Sequence, residues 1–178
     1  MYSGKLLIAT PSIVNDFHFH RTVVFLANHD DSGSFGFILN KEMDLRLSDV
    51  MENVNVKIPL YYGGPVGNDN LFFIHNMPSI SGSEINEGLY YGGDYEMLID
   101  KLNDNEISHH NVRFFKGYSG WSERQLKEEI DNQSWKVSDN VYKDKIICNN
   151  KSIWKEQMMA LGGKYVLWAN MPNAPELN

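Results

Sequence analysis

The chain has 178 residues, 42% of them hydrophobic, and carries 16 basic against 23 acidic side chains for a formal net charge of −7. That length buries roughly 70% of the surface exposed by the unfolded chain, so one domain over residues 1–178 is the expectation. The acidic balance, with no run of five like charges, argues against a broad nucleic-acid footprint, which rests on clustered Lys and Arg.

A single cysteine, Cys148, excludes an intramolecular disulfide and a four-cysteine zinc site, and it suits a reducing, cytoplasmic compartment. The apolar run Leu6–Ala9 is too short for a signal-peptide core, and no segment approaches the roughly 18 apolar residues of a membrane span.

In chain order, Gly4–Thr10 reads as a strand stopped by Pro11, whose ring fixes its own backbone angle. Arg21–Asn28 and Ser34–Asn40 are β-branched and aromatic runs joined by the turn-forming stretch His29–Gly33, hence a hairpin. Leu45–Met51 suits a short helical turn. Ile58–Tyr62 reads as a strand leaving into Gly63-Gly64-Pro65-Val66-Gly67, and Leu71–His75 as the next, with Asn68-Asp69-Asn70 as a turn between them. Ser79–Glu87 is polar and reads as a loop, and Leu89–Tyr91 as a short strand. Asp94 then caps a helix in which Tyr95, Leu98, Ile99 and Leu102 share one face, ending near Asn103.

Val112–Lys116 reads as a strand that enters the turn Gly117-Tyr118-Ser119-Gly120-Trp121. Ser122 with Gln125 fits a capping box, Trp121 with Leu126 a hydrophobic staple, and the helix they open ends near Asn132. Trp135–Val137 is extended, and Cys148 follows Ile146-Ile147 in an apolar, strand-like run that predicts structural packing. Ser152–Leu161 is the last helix, with Gly162-Gly163 suited to its C-terminal cap. Tyr165–Ala169 reads as a closing strand before a tail with Pro172 and Pro175. Short strands, hairpin pairings and about three flanking helices without regular βαβ alternation predict an α+β fold on a mixed, largely antiparallel sheet. Leu60–Gly64 is echoed by Leu89–Gly93, but the first copy feeds a loop and strand and the second a helix, so a duplication is not favoured.

The stretch from Gly117 to Ser122 offers glycine backbone at a helix start, where aligned N–H groups can bind an anion. Its own cap uses two of those amides, and the Gly-Lys-Ser/Thr ending of a phosphate loop is absent. Ser119 has the strand, turn and helix order of a nucleophile elbow, yet Gly120 falls one residue early and Trp121 takes the second glycine's place. His75, His109 or His110 could supply its base and Asp94 or Asp100 an orienting acid. His18 and His20 would share a face if Phe17–Arg21 were extended, but a third metal ligand is not evident nearby, and His109-His110 would point to opposite faces of a strand. Tyr61, Tyr62, Tyr90, Tyr91, Tyr118 and Trp121 sit at glycine turns, which would line a small-ligand cleft if those turns converge and would merely pack over bare backbone if they do not.

These segments, taken together, resemble the bacterial YqgE/AlgH family. The likeness is carried by Gly4–Pro11, Phe19–Leu26 with His29, Gly33–Asn40, Gly63–Val66, Gly117–Trp121 with Gln125-Leu126, and Trp135, Trp154 and the ending Pro172–Asn178. The resemblance implies a single α+β domain on a mixed sheet with flanking helices. It brings a transcriptional-regulator label but no catalytic residues to carry over, and an acidic chain without a DNA-reading helix gives that label no physical support.

The functional expectation is a cytosolic, non-catalytic domain that binds an unidentified small molecule or protein. Its candidate ligand site is Gly63, Gly64 and Pro65 with Gly117, Tyr118, Ser119, Gly120 and Trp121, and it calls for neither cofactor nor metal. The alternatives are a hydrolase using Ser119, which requires an imidazole about 3 Å from that hydroxyl, and a DNA-binding regulator.

Overall fold

A computed structural model describes residues 2–172, and the tail proline Pro175 lies outside them. The chain begins with strands β1 (Leu6–Ala9), β2 (Val23–Asp30), β3 (Gly33–Ile38) and β4 (Glu42–Arg46). Helix α1 (Leu47–Val50) is followed by β5 (Pro59–Tyr62), β6 (Val66–His75), β7 (Ser83–Asn86), β8 (Leu89–Tyr91) and α2 (Tyr95–Asn103). The rest comprises β9 (Val112–Ser122), α3 (Gln125–Asp131), β10 (Trp135–Ser138), α4 (Ile153–Leu161) and α5 (Lys164–Asn170).

The ten strands form one mixed sheet in the order β10-β1-β2-β3-β9-β6-β8-β7, with β4 on β5 and β5 on β9. The pairings are antiparallel except β5 with β9, where Leu60, Tyr61 and Tyr62 run parallel to Phe114, Phe115 and Lys116. The fold is α+β, as expected. No helix of the described residues is long and apolar enough to cross a membrane.

The continuous apolar runs are explained by burial of the sheet on both faces. In β1, Leu6 and Ile8 enter a cluster with Phe25, Phe37, Phe115, Trp154 and Met158, whereas Leu7 and Ala9 enter another with Val24, Ile38, Trp121 and Trp135. Successive residues of a strand point to opposite faces, so a strand covered on both sides has no polar register left. A third cluster joins Leu60, Phe73 and Phe114 to the predicted face of α2, with Leu98, Ile99 and Leu102. Asp94 caps that helix by accepting from the Met97 N–H at 3.0 Å.

Several expectations are corrected. The greatest change is in β9, which runs unbroken through Gly117–Ser122 instead of turning there. Ser34 pairs with Trp121, Phe35 with Gly120 and Gly36 with Ser119 on one side, and Val66 pairs with Tyr118 on the other. The helix therefore starts at Gln125, after Ser122 has finished its strand pairing. Half of the capping box survives, since Gln125 Oε1 accepts from the Ser122 N–H at 3.2 Å, and Trp121 and Leu126 share a cluster.

Asn68–Asn70 lies within β6, where the register against β9 shifts between Val66 and Leu71, so an irregular stretch of strand replaces the turn. The polar stretch at 79–87 contains β7, an edge strand that pairs on one side with β8. Tyr165–Ala169 is helical. Gly162 and Gly163, at φ 69° and 53°, reverse the chain so that α5 packs on α4. The 3₁₀ turn Lys143–Ile147 takes the place of the strand-like run before Cys148, which is half-buried at its end. Arg113 on β9 fastens that turn: it is 3% exposed, donates to Ile146 O at 3.0 Å and Cys148 O at 3.2 Å, and lies 3.7 Å over the Tyr61 ring.

Candidate functional site

The two glycine segments meet, but most of what they make together is solid. The Gly63 N–H donates to Lys116 O at 2.8 Å, and Gly63 O accepts from the Ile38 N–H at 2.9 Å. The Ser119 hydroxyl donates to that same carbonyl at 3.0 Å. Gly117 sits at φ 69°, and a Cβ there would come within 2.6 Å of Gly64 O and 2.5 Å of Asn68 Oδ1. Glycine is required at this position by the close approach of two backbones as well as by the left-handed φ.

Beyond this contact the surface opens into a cavity of about 600 Å³, lined by Val66, Phe72, Tyr118, Gly120 and Trp121 together with Asn28, Ser32, Gly33, Ser34 and Phe35 of the β2–β3 hairpin. Of the candidate residues, Tyr118, Gly120 and Trp121 reach it. Gly63, Gly64, Gly117 and Ser119 are buried below, and Pro65 is exposed outside it. The rings are mutually braced: Phe35 lies edge-on to Tyr118 at 6.0 Å and Phe72 edge-on to Tyr118 at 5.4 Å. Such T-shaped pairs are a favourable arrangement of ring quadrupoles. Trp121 is held from behind, because Glu129 of α3 accepts from Trp121 Nε1 at 2.8 Å and from Trp135 Nε1 at 2.7 Å through one carboxylate oxygen. None of the cavity's lining residues carries a charged side chain.

Ser119 is fully buried, and among the described residues no imidazole is bonded to it. His75 cannot serve it: that ring is fully buried, bonds Gly92 O through Nε2 at 2.9 Å and accepts from the Met77 N–H at Nδ1, 3.2 Å away. Burial, partly opposed by these backbone bonds, lowers the His75 pKa and keeps the ring neutral. His109 and His110 lie in a turn with their rings 4.0 Å apart, contrary to the opposite-face expectation, and His110 Nδ1 stands 3.5 Å from Cys148 Sγ.

A serine that the sequence reading passed over is better placed. Ser34 Oγ lies 2.6 Å from His29 Nδ1, and Ser34 borders the cavity. A signal for this pairing existed in the chain. The two-residue turn Asp31-Ser32 sets Asp30 opposite Gly33 and therefore His29 opposite Ser34.

His18 and His20 do not share a strand face, because Phe17–Arg21 forms turns ending in Arg21 at φ 52°. His18 Nδ1 bonds instead to the Tyr62 hydroxyl at 2.6 Å, in a second basin of about 660 Å³ lined by Phe17, His18, Asn40, Lys41, Glu42, Tyr62, Asn68 and Lys151. Among the described residues no group of three or more His, Cys, Asp or Glu side chains could hold a metal ion.

Comparison with known proteins assigns the family. The AlgH-like family model matches residues 6–166. A UPF0301 protein of Cytophaga hutchinsonii is 38% identical over 98% of this chain and 98% of its own, and one of Bacteroides fragilis is 39% identical over 98% and 90%. The chain belongs to the AlgH-like family. The fold matches the solution structure of the AlgH protein from Pseudomonas aeruginosa, with a TM-score of 0.73 at 21% identity over 98% of this chain and 96% of that one. A crystal structure of a protein from Corynebacterium diphtheriae matches with a TM-score of 0.75 at 22% identity over 96% and 93%.

Proposed function

We propose that this member of the AlgH-like family is a single cytosolic ligand-binding domain whose site is the aromatic cavity between the β2–β3 hairpin and the end of β9. The observation that supports the reading is that Val66 from one glycine segment and Tyr118, Gly120 and Trp121 from the other line one cavity of about 600 Å³. That volume lies in the range of small-molecule sites, and braced rings with a few hydroxyl and amide groups are what such sites use. The uncharged lining selects an uncharged ligand, since a buried charge without a partner is costly.

Trp121 supplies the test. Its indole N–H is a resolvable NMR reporter in the cavity wall, to be followed during titration with a library of uncharged aromatic fragments. The expected result is saturable perturbation of the Trp121 indole by a subset of fragments, weakened in Tyr118→Ala. A library that leaves the Trp121 indole unmoved sinks the reading.

The Ser34–His29 contact favours one second reading, a hydrolase working in the same cavity. The imidazole would take the Ser34 proton as the hydroxyl attacks a carbonyl, the general-base arrangement for a serine nucleophile. A fluorophosphonate probe separates the two: labelling abolished in Ser34→Ala and retained in Ser119→Ala supports hydrolysis, and an unlabelled wild-type protein dismisses it.

A further inference from the structure

The second basin is lined by the residues that flank the Gly63–Gly67 segment, Tyr62 and Asn68, and its chemistry is different. Lys41 Nζ donates to Phe17 O at 3.0 Å and His18 O at 2.8 Å. It also stands 5.8 Å from the centroids of both the Phe17 and Tyr62 rings. An ammonium has three donors, so one remains. The two carbonyls bring dipoles but no net charge, and no ion pair among the described residues includes Lys41. Glu42, the acid in the wall, is already matched by Lys151 at 3.2 Å and Arg46 at 3.5 Å. Burial lowers the Lys41 pKa, with the more distant Asp16 opposing the shift. The basin therefore holds one half-buried cation without a counter-charge in contact, within a chain of net charge −7.

Around that cation the surface is aromatic. Phe17 is 88% exposed, and the His18 and Tyr62 rings stack at 5.9 Å with 20° between their planes. The Tyr62–His18 hydrogen bond holds this stack in place. One positive charge with no carboxylate in contact, beside flat ring faces, is the complement of a planar ring bearing one negative charge. A phosphate dianion would call for a second unmatched positive charge, and that of Lys151 is already matched by Glu42.

We propose that the Lys41 basin is a binding site for a small aromatic carboxylate, its carboxylate on Lys41 Nζ and its ring against Phe17 and Tyr62. This site stands apart from the cavity at Trp121 and does not depend on the function proposed for it.

Benzoate is the probe, titrated into the full chain and followed by backbone amide and indole NMR shifts. Benzyl alcohol serves as the uncharged control and inorganic phosphate as the ringless one. Saturable shifts at His18, Lys41 and Tyr62 are expected, with both controls weaker by at least about tenfold. Lys41→Met should weaken benzoate by at least about tenfold, and Phe17→Ala, at an exposed position that does not endanger folding, by about threefold or more. Should Lys41→Met fail to fold, Phe17→Ala and benzyl alcohol decide. Equal binding of benzyl alcohol, benzoate binding unchanged in either folded variant, shifts confined to Trp121, or no saturation by about 20 mM each overturns the proposal.

Discussion

Two serine and histidine sets invite the same chemistry, and the fold treats them in opposite ways. Ser119 and His75 belong to segments rich in glycine and aromatic residues, and both are fully buried with their polar atoms bonded to backbone. Ser34 and His29 face each other across a hairpin, in contact at 2.6 Å, with Ser34 bordering the cavity. The register places Ser34 opposite Trp121 and Ser119 opposite Gly36, so the two serines occupy neighbouring strands close to one another. Both are buried, and what separates them is the cavity. Glycines at Gly64 and Gly117 bring β9 and the exit of β5 so close that Ser119 becomes part of the joint, while the hairpin sets Ser34 in the cavity's lining.

Trp121→Ala should have the largest effect. It removes a side chain that is 6% exposed and breaks its bond to Glu129, for a loss of about 3–5 kcal/mol by urea denaturation. If the loss is below about 1 kcal/mol, the cavity wall is not anchored in the core and the contrast between closed and open sets weakens.

Acid should reveal the closed set next. His75 has its folded pKa lowered by burial, and the unfolded value is about 6.5. The unfolded state therefore binds the extra proton first as pH falls. Stability contributed by neutral His75 is fully present above about pH 6.5 and declines below it, by up to about 1.4 kcal/mol per pH unit until the folded pKa is reached. Urea midpoints between pH 7.5 and 5 should show this slope in the wild type and lose it in His75→Gln; an identical slope in the variant would assign it to other groups.

Ser119→Ala should cost about 1 kcal/mol, the net value of one hydroxyl-to-carbonyl bond, and leave ligand perturbation of the Trp121 indole unchanged. Ser34→Ala should cost no more than that, about 0.5–1 kcal/mol in a denaturation series, because the hydroxyl it removes makes its one side-chain bond to the half-buried His29. It should nonetheless alter the cavity, seen as changed fragment binding at Trp121. If Ser119→Ala altered fragment binding and Ser34→Ala did not, the roles of the two serines would be reversed.

Where packing and local pattern agreed, the chain was readable. Leu6–Ala9, the Asp94 cap with its Leu98, Ile99 and Leu102 face, and α4 all lie where their residues predict, and so does the hairpin, with its five-residue loop His29–Gly33 tightened to the turn Asp31-Ser32. The misreadings share one cause, that a short segment's partner lies far away in sequence. Tyr165–Ala169 has strand composition, but the Gly162-Gly163 reversal lays it on α4 as a helix, and short apolar runs cannot be told apart by periodicity. The polar Ser83–Asn86 is a strand because an edge position asks for pairing on one side only. The candidate site was legible in part: Tyr118, Gly120 and Trp121 were named, while Asn28, Ser32, Ser34, Phe35 and Phe72 depend on which strands lie beside β9.

By itself the sequence determined the α+β class, the family and where the glycines cluster, because hydrophobic period and composition act locally. The tertiary structure alone decided what those glycines are for. They seat one backbone against another in the middle of a strand, and residues next to that joint line both the cavity and the Lys41 basin. Both depend on which residues meet across the sheet, and pairing between distant strands is set by the burial of whole faces rather than by any one segment's preferences.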